Sequence, residues 1–232
     1  MADIVVFGAS GGIGQHLVRS LSADHNLLGT YHSAAPDSLG EGAAYHALDI
    51  TDSDAVNAFV AGVRDQLQRP VLVYTPGVSP DASTHKIEDA DWERALSTNL
   101  SGAMYVTRAM LPIMREVEWG RIVYLSSVLA RRGTPGTVAY STTKAALGAM
   151  ARVVSVENAT RGITANALAL GYYDVGIIKT ISEENLQKHV LPQIPQRRLG
   201  DPQNITEAVQ FLIRSDYLTG ATLDINGGMV GV

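Results

Sequence analysis

The residues of this chain best suited to chemistry are Tyr140 and Lys144, four positions apart, and the upstream serine pair Ser126-Ser127. In a helix, side chains four residues apart lie on one face. A free phenol titrates near pH ~10 and a nearby cation favours the phenolate, so we expect Lys144 to lower the pKa of Tyr140. A serine hydroxyl in the same cleft could bind the oxygen that gains or loses the proton. These side chains predict redox chemistry between a carbonyl and an alcohol.

A tyrosine and a lysine at this spacing also occur on ordinary amphipathic helices, so the interpretation needs support from the rest of the sequence. Residues 4–7 are apolar, as in a strand buried on both faces of a parallel sheet, and a glycine-rich turn and a helix follow directly. Such a turn lets a diphosphate approach the backbone and meet the amides of the helix N-terminus. The alternative is a turn with only a structural role. The residues predicted to contact a dinucleotide here are Gly8, Ser10, Gly11, Gly12, Ile13 and Gly14.

Length and composition favour one α/β domain over the whole chain, 1–232, with 46% apolar and 18% charged residues. No apolar run approaches the ~20 residues that a membrane helix needs, and the N-terminus lacks the features of a targeting peptide. We therefore expect a cytoplasmic protein that does not enter a membrane. With no cysteine and six scattered histidines, no metal site is expected. A net charge of −5 without a basic cluster argues against nucleic-acid binding.

The end of the second predicted strand, 26–31, bears on the choice of cofactor. A carboxylate at this point would bind the ribose 2′-hydroxyl of NAD and repel the 2′-phosphate of NADP, and none is present. Thr30, His32 and Ser33 could donate hydrogen bonds to a phosphate, although no lysine or arginine lies close in sequence. We favour NADP(H) over NAD(H).

Two further strands end at candidate cofactor contacts. Residues 45–48 form a short predicted strand, and Asp49 after it could accept a hydrogen bond from the adenine amino group or cap the helix that begins near Ser53. Both roles remain open for Asp49. Residues 71–74 form the fourth strand, and Gly77 closes the turn after it, where the cofactor ribose would pass.

Apolar spacing predicts a long helix over 88–114 that could bend or end at Pro112. Asn99 lies in its middle, where asparagine is unfavourable because its amide competes for backbone groups. The amide could hold a water, a locally altered helix could expose a carbonyl, or the side chain could bond to a neighbouring loop. The sequence leaves these alternatives open.

The remaining strands and the segment between them predict the substrate side of the site. The fifth strand, 121–125, delivers the serine pair to the carboxyl edge of the sheet, where open parallel sheets bind ligands. The sixth, 163–168, ends near Gly171. Residues 172–195 have mixed polarity and two prolines, which predicts a mobile lid over the substrate. A helix over 205–213 and a last strand over 222–225 complete the chain.

Together these motifs resemble the short-chain dehydrogenase/reductase family along essentially the whole chain. Gly8-x-x-x-Gly12-x-Gly14 matches its cofactor loop, Asp49-Ile50 its adenine-site pair, and the catalytic tetrad is matched by Asn99, Ser127, Tyr140 and Lys144. The thirteen-residue step to Tyr140 selects Ser127 over Ser126. The resemblance implies a single-domain Rossmann fold, a doubly wound parallel sheet of about seven strands with helices on both faces.

The same resemblance implies a role for each member of the tetrad. Tyr140 would be the acid/base, Ser127 would bind the substrate oxygen, and Lys144 would bind the nicotinamide ribose and act on the tyrosine through its field. Asn99 would hold a proton-relay water.

Within the family, the chain is most similar to 3-oxoacyl-acyl-carrier-protein reductases of fatty acid biosynthesis, through residues 30–33 and 220–228. Tyr74-Thr75-Pro76-Gly77 replaces the usual Asn-Asn-Ala-Gly, and Leu170-Gly171 replaces Pro-Gly. The threonine expected at the nicotinamide amide is not evident in 172–175.

The resemblance also concerns the way in which a substrate is carried. Glu118 stands where a basic residue that docks the carrier protein is frequent, while Arg161 matches a second docking arginine. The implied activity is NADPH-dependent reduction of a 3-oxoacyl thioester, or a related ketone, that is small or bound to acyl carrier protein. The alternatives are a reductase of free or polyketide-like ketones and a cofactor-binding scaffold without turnover.

The helix of Tyr140 and Lys144 predicts an assembly. Its apolar residues cannot all lie on one side at 3.6 residues per turn, so some must face away from the sheet. A second apolar face is usually covered by an identical subunit. We therefore expect a homo-oligomer, and the family's four-helix contact implies a tetramer. The residues that carry this prediction are Ala145, Leu147, Ala149, Met150 and Val153.

Overall fold

The computed structural model describes residues 1–35 and 43–230. Its centre is a seven-stranded, all-parallel sheet in the order β3-β2-β1-β4-β5-β6-β7. The chain winds outward from β1 in one direction and from β4 in the other, which confirms the doubly wound fold. A ligand crevice is expected beyond the carboxyl ends of the strands where the winding reverses. The strands are β1 (Asp3–Phe7), β2 (Asn26–Tyr31), β3 (Ala43–Ala47), β4 (Pro70–Tyr74), β5 (Gly120–Ser127), β6 (Ile163–Leu170) and β7 (Thr222–Ile225).

Helices cover both faces of the sheet, as the alternation within its central strands requires. In β1, Val5 and Phe7 pack into one apolar cluster with α2, α4 and α5, whereas Ile4 and Val6 pack into another with α1 and α7. The helices are α1 (Gly12–Leu21), α2 (Ser53–Val63), α3 (Asp89–Leu96), α4 (Gly102–Glu116), α5 (Val138–Asn158), α6 (Glu183–Asn185) and α7 (Gln203–Arg214). No helix among the described residues is long and apolar enough to cross a membrane.

The long helix predicted over 88–114 is present as α3 and α4, joined by a π turn over Ser97–Ser101. Pro112 lies inside α4 and does not end it, since the helix continues to Glu116. The π turn contains Asn99. The change from α-helix to π turn therefore lies at Asn99, whose side chain is unfavourable in a helix, and not at Pro112.

The capping role that we considered for Asp49 is wrong. Asp52 caps α2, because its Oδ1 accepts hydrogen bonds from the amides of Asp54 (2.9 Å) and Ala55 (3.0 Å). The Asp49 carboxylate instead accepts hydrogen bonds from the amide (2.9 Å) and hydroxyl (2.7 Å) of Thr51. Asp49 is thereby fixed at the end of β3 without contacting the helix.

Residues 172–195 are folded into consecutive short helical turns. These are Gly176–Thr180, α6, Leu186–Val190 and Leu191–Gln193. Ile178, Val190 and Ile194 form a small apolar cluster of their own beneath the turns. We call this segment the cover. It has its own small core, and its role as a mobile lid over a substrate stays a prediction.

Replacing Asp52 tests the assignment of the cap. Asp52→Ala leaves two amides of α2 without their acceptor and should lower the free energy of unfolding by about 1 kcal/mol. Asp52→Asn keeps a side-chain acceptor and should cost much less. Urea denaturation of the two variants measures the difference, and equal stability would show that Asp52 does not cap α2.

Candidate active site

The glycine loop after β1 has the backbone geometry of a phosphate cradle. Gly8 has a φ of 81°, and a Cβ there would lie 2.8 Å from both Pro76 Cγ and Thr75 Oγ1. A Cβ at Gly14 would lie 2.4 Å from the Gly8 carbonyl oxygen. The loop and the start of α1 therefore pack closer than side chains allow. The first turn of α1 has no acidic residue and no side-chain cap, so its amides can meet an anion.

Two threonines from neighbouring strands hold this loop. The Gly8 amide donates to Thr30 Oγ1 (3.3 Å), and Thr75 Oγ1 donates to the carbonyls of Phe7 (2.8 Å) and Gly8 (3.0 Å). Thr30 is buried, with 1% of its surface exposed. Its hydroxyl therefore supports the loop, and this corrects the expectation that it would be presented to a 2′-phosphate.

The other residues predicted near the adenine end lie together at the edge of β2 and β3. His32 and Ser33 are exposed, and His32 Nε2 lies 3.6 Å from Asp49 Oδ2. The hydrogen bonds from Thr51 lower the pKa of Asp49, so it is ionised at neutral pH. A carboxylate thus does reach this edge, from β3 and not from β2. Ile50 follows it with a buried side chain.

The structure separates the two serines at the end of β5. Ser126 Oγ donates to the carbonyl of Lys144 (2.7 Å) and is occupied in packing α5 on the sheet. Ser127 Oγ accepts from the Leu129 amide (3.2 Å), and the Ser127 hydroxyl lies near enough to the Tyr140 phenol to lower its pKa. Ser127, and not Ser126, is thus the serine beside Tyr140, as the thirteen-residue step indicated.

Tyr140 lies in the first turn of α5, and its surroundings keep the phenol protonated. Burial raises its pKa, the hydrogen bond from Ser127 lowers it, and the nearby Tyr172 raises it further. The expectation that Lys144 would lower the pKa of Tyr140 is wrong: the pKa is raised, because removal from water outweighs the other influences and Lys144 is not one of them. A protonated phenol is the form that can donate a proton to a carbonyl oxygen.

Lys144 is buried and points its ammonium at backbone carbonyls. Nζ donates to Leu125 O (2.8 Å) and Pro76 O (3.0 Å) and lies 5.7 Å from the centroid of the Tyr140 ring. Burial lowers the pKa of Lys144 to about 8. A Cβ at Gly77 would lie 3.1 Å from Nζ and 3.8 Å from Tyr140 Cε2. Gly77 therefore leaves the space beside both groups open.

The Asn99 side chain is fully buried and bonds to a neighbouring loop, one of the alternatives left open above. Oδ1 accepts from the Val78 amide (2.8 Å), while Nδ2 donates to Val78 O (2.9 Å) and Thr143 Oγ1 (3.0 Å). Both amide hydrogens are used. Asn99 thus ties the loop after β4 to α5, and a relay water would have to meet its backbone.

The cover over the site meets the glycine loop directly. A Cβ at Gly12 would lie 2.6 Å from Gly176 Cα, and Gly176 itself has a φ of 70°. Gly171 is similarly close to the last loop, since its Cβ would lie 2.8 Å from Asn226 Cα. Glycine is therefore required on both sides of the contact that closes the crevice.

A cavity of about 380 Å³ lies beyond the carboxyl ends of β6 and β7. Tyr172 lines the cavity and also influences the pKa of Tyr140, whereas none of Asn99, Ser127, Tyr140 and Lys144 lines it. Tyr172 is therefore the link between the cavity and the tetrad. Its polar and aromatic lining residues include Tyr172, Tyr173, Gln196, Arg198, Asn204 and Asn226.

Sequence reasoning missed the residues that support the tetrad. Thr75 and Thr143 have no signal of their own, because their partners lie 67 and 44 residues away. Tyr74 stood out only as a departure from the family pattern. Tyr172 could have been suspected from its position directly after Gly171.

The fold and the site define a class, the dinucleotide-dependent oxidoreductases. The family model described as Enoyl-(Acyl carrier protein) reductase matches residues 8–230. The chain therefore belongs to the short-chain dehydrogenase/reductase family.

Among named relatives, the chain is 33% identical to the acetoacetyl-CoA reductase of Shinella zoogloeoides over 97% of this chain and 96% of that one. It is 32% identical to the 3-oxoacyl-[acyl-carrier-protein] reductase of Escherichia coli, with the same coverage of 97% and 96%. The solved structure "ElxO with NADP Bound" has the same fold, with a TM-score of 0.90, 24% identity and complete coverage of both chains, 100% each.

The lowered pKa of Lys144 predicts how stability depends on pH. Between about pH 8, its pKa when folded, and about pH 10.4, that of a free lysine, the unfolded chain binds more protons at this site. Stability conferred by this site should therefore rise with pH in that window and stay level below it. The control variant is Lys144→Met, whose free energy of unfolding lacks the pH dependence that comes from Lys144. Urea denaturation at several pH values should show wild type gaining on the variant above about pH 8, and a constant gap would contradict the lowered pKa.

Proposed function

We propose that this protein reduces a 3-oxoacyl thioester, or a related ketone, to the 3-hydroxy product with NADPH as the reductant. The observation that carries the proposal is a buried Tyr140 phenol that its surroundings keep protonated, with the Ser127 hydroxyl and the Lys144 ammonium beside it. The names of the two relatives, an acetoacetyl-CoA reductase and a 3-oxoacyl-[acyl-carrier-protein] reductase, support the same substrate class.

Each member of the tetrad has a distinct task in this reaction. The nicotinamide, when bound, supplies the hydride. Ser127 donates a hydrogen bond to the substrate oxygen as negative charge develops there, and Tyr140 transfers its phenolic proton to that oxygen. Lys144, held by Leu125 O and Pro76 O, binds the nicotinamide ribose and places positive charge beside the phenolate that forms. The Asn99 side chain holds the loop after β4 against α5, and the Asn99 backbone holds the relay water.

The glycine loop and the edge of β2 would hold the dinucleotide. The diphosphate fits the amides at the start of α1, and Asp49 with Ile50 meets the adenine. We propose NADP(H) over NAD(H), because exposed His32 and Ser33 offer hydrogen-bond donors to a 2′-phosphate. The Asp49 carboxylate, which would repel that phosphate, has His32 3.6 Å away as a polar neighbour.

The surface near Glu118 bears on how the substrate is delivered. Arg161 Nη1 lies 3.2 Å from Glu118 Oε1, and both side chains are exposed. The arginine matched to carrier-protein docking is therefore paired with a carboxylate, which reduces its attraction for an acidic partner. We propose a coenzyme A thioester as the first substrate to test, ahead of the same acyl group on acyl carrier protein.

Replacing the phenol tests the proposed acid. Tyr140→Phe removes the proton donor and should lower kcat by at least ~100-fold, while NADPH binding persists. NADPH oxidation with acetoacetyl-CoA measures the first quantity, and fluorescence titration of NADPH measures the second. Turnover of the variant close to that of wild type would remove Tyr140 from the mechanism.

A substrate panel with the wild-type enzyme separates the alternatives. Acetoacetyl-CoA, acetoacetyl-acyl carrier protein and a free 3-oxo ester are compared by kcat/KM with NADPH and with NADH. Preference for the free ketone would favour a reductase of polyketide-like substrates. No turnover with any of them would favour a scaffold, and preference for NADH would overturn the cofactor assignment.

We also propose that the protein is a homo-oligomer, a tetramer in the simplest case. In α5, Leu147 is buried, whereas Ala145 and Ala149 are exposed and Val153 and Val156 expose 57% and 81% of their surface. An apolar groove of about 290 Å³ runs beside them between α4 and α5. The second apolar face is therefore present, and an identical subunit would cover it through a two-fold contact.

A charge on this face tests the assembly. Val153→Arg should convert the oligomer to smaller species, because a buried unpaired guanidinium is costly at an interface. Tyr217→Arg, at a position that exposes 99% of its surface, is the control and should assemble normally. Light scattering at micromolar protein compares the two, and a fully active wild-type monomer would refute the proposal.

A further inference from the structure

Tyr74 is the last residue of β4 and one of the most deeply buried tyrosines of the chain. No part of its surface is exposed, and its hydroxyl donates a hydrogen bond to the carbonyl of Thr98. Burial raises the pKa of Tyr74 far above its ordinary value, so the hydroxyl is a permanent neutral donor. It cannot take part in proton transfer and can act only through this bond.

The acceptor of this bond lies inside the π turn over Ser97–Ser101. A π turn inserts an extra residue into a helix and so interrupts the regular ladder of amide–carbonyl bonds. A buried carbonyl without a donor costs free energy, and the Tyr74 phenol supplies that donor to Thr98. The helix makes room for it, since a Cβ at Gly102 would lie only 2.7 Å from the Tyr74 oxygen.

Two further contacts connect this turn to the reacting groups. Asn99, the next residue after Thr98, clamps the Val78 amide and carbonyl. Two residues before Val78, the Pro76 carbonyl accepts from Lys144 Nζ. If the π turn moves, the Asn99 side chain moves with it and displaces the loop that contains Pro76 and Val78. The carbonyl that holds Lys144 then moves as well.

We propose that Tyr74 is a positioning residue for the reaction, whose hydroxyl fixes the π turn and thereby the Asn99 clamp and the carbonyl that holds Lys144. The kinetic test of this proposal rests on the proposed ketone reductase activity, whereas the structural test by hydrogen exchange does not. The position is one at which the chain departs from its family's pattern.

The test compares Tyr74→Phe with a matched control in the neighbouring strand. Tyr124 is the register partner of Tyr74, is equally buried, and shares a hydrogen bond with Thr107 (2.8 Å), which lies in α4 beyond the π turn. Tyr74→Phe should lower kcat for acetoacetyl-CoA by about 10- to 100-fold, because small displacements of catalytic groups are costly. Tyr124→Phe should leave kcat within about twofold of wild type.

Four readouts separate positioning from a general loss of structure. The KM for NADPH should stay within about twofold in Tyr74→Phe, and the basic limb of its kcat–pH profile should move, because the surroundings of Lys144 change. Hydrogen exchange over residues 97–102 should accelerate in Tyr74→Phe and not in Tyr124→Phe. Thermal unfolding should show similar losses in both variants.

The possible outcomes test the role of Tyr74 separately from the proposed ketone reductase activity. Unchanged kcat and exchange in Tyr74→Phe, or equal losses of kcat in both variants, would overturn it. If wild type reduces none of the ketones, the proposed function fails, and hydrogen exchange alone decides the role of Tyr74. If Tyr74→Phe does not fold, Gly102→Ala displaces the same phenol from the other side, and wild-type exchange over 97–102 in that variant would overturn the proposal.

Discussion

The loop that follows β4 is the constraint on which the rest of the site depends. Thr75 holds the glycine loop, Pro76 holds Lys144, and Val78 is clamped by Asn99. Because these contacts reach β1, α5 and the π turn, the groups that would bind the dinucleotide and those that would move the proton share one backbone segment. The two halves of the site therefore cannot shift independently, which preserves their relative placement as the surrounding loops move.

Burial acts in opposite senses on the two titratable members of the tetrad. It raises the pKa of the Tyr140 phenol and lowers that of the Lys144 ammonium, since each neutral form is favoured away from water. As a result, the pKa of Lys144 lies below that of Tyr140, and the lysine releases its proton more readily than the tyrosine does. At neutral pH, below its pKa of about 8, Lys144 still carries its positive charge while Tyr140 is protonated.

The fold and the grouping of Ser127, Tyr140 and Lys144 were predictable from the sequence because both follow local patterns. Apolar runs of strand length, helical spacing around Tyr140 and the glycine loop each lie within a few residues. The supporting contacts were not predictable, because they join distant segments. Thr30 meets Gly8 over 22 residues and Tyr74 meets Thr98 over 24, and neither pairing has a local signature. The capping role considered for Asp49 was wrong for another reason, since Asp52, directly before α2, satisfies the same sequence preference.

The contact between Gly12 and Gly176 restricts how the enzyme can be redesigned. A side chain at Gly12 would collide with the backbone of Gly176, whereas Gly176 has room for a Cβ but a φ of 70° that other residues rarely adopt. Substitution is therefore opposed by collision at one position and by backbone conformation at the other. Tyr172, Gln196 and Arg198 line the cavity and are not part of this contact, so redesign is freer at those positions than at the two glycines.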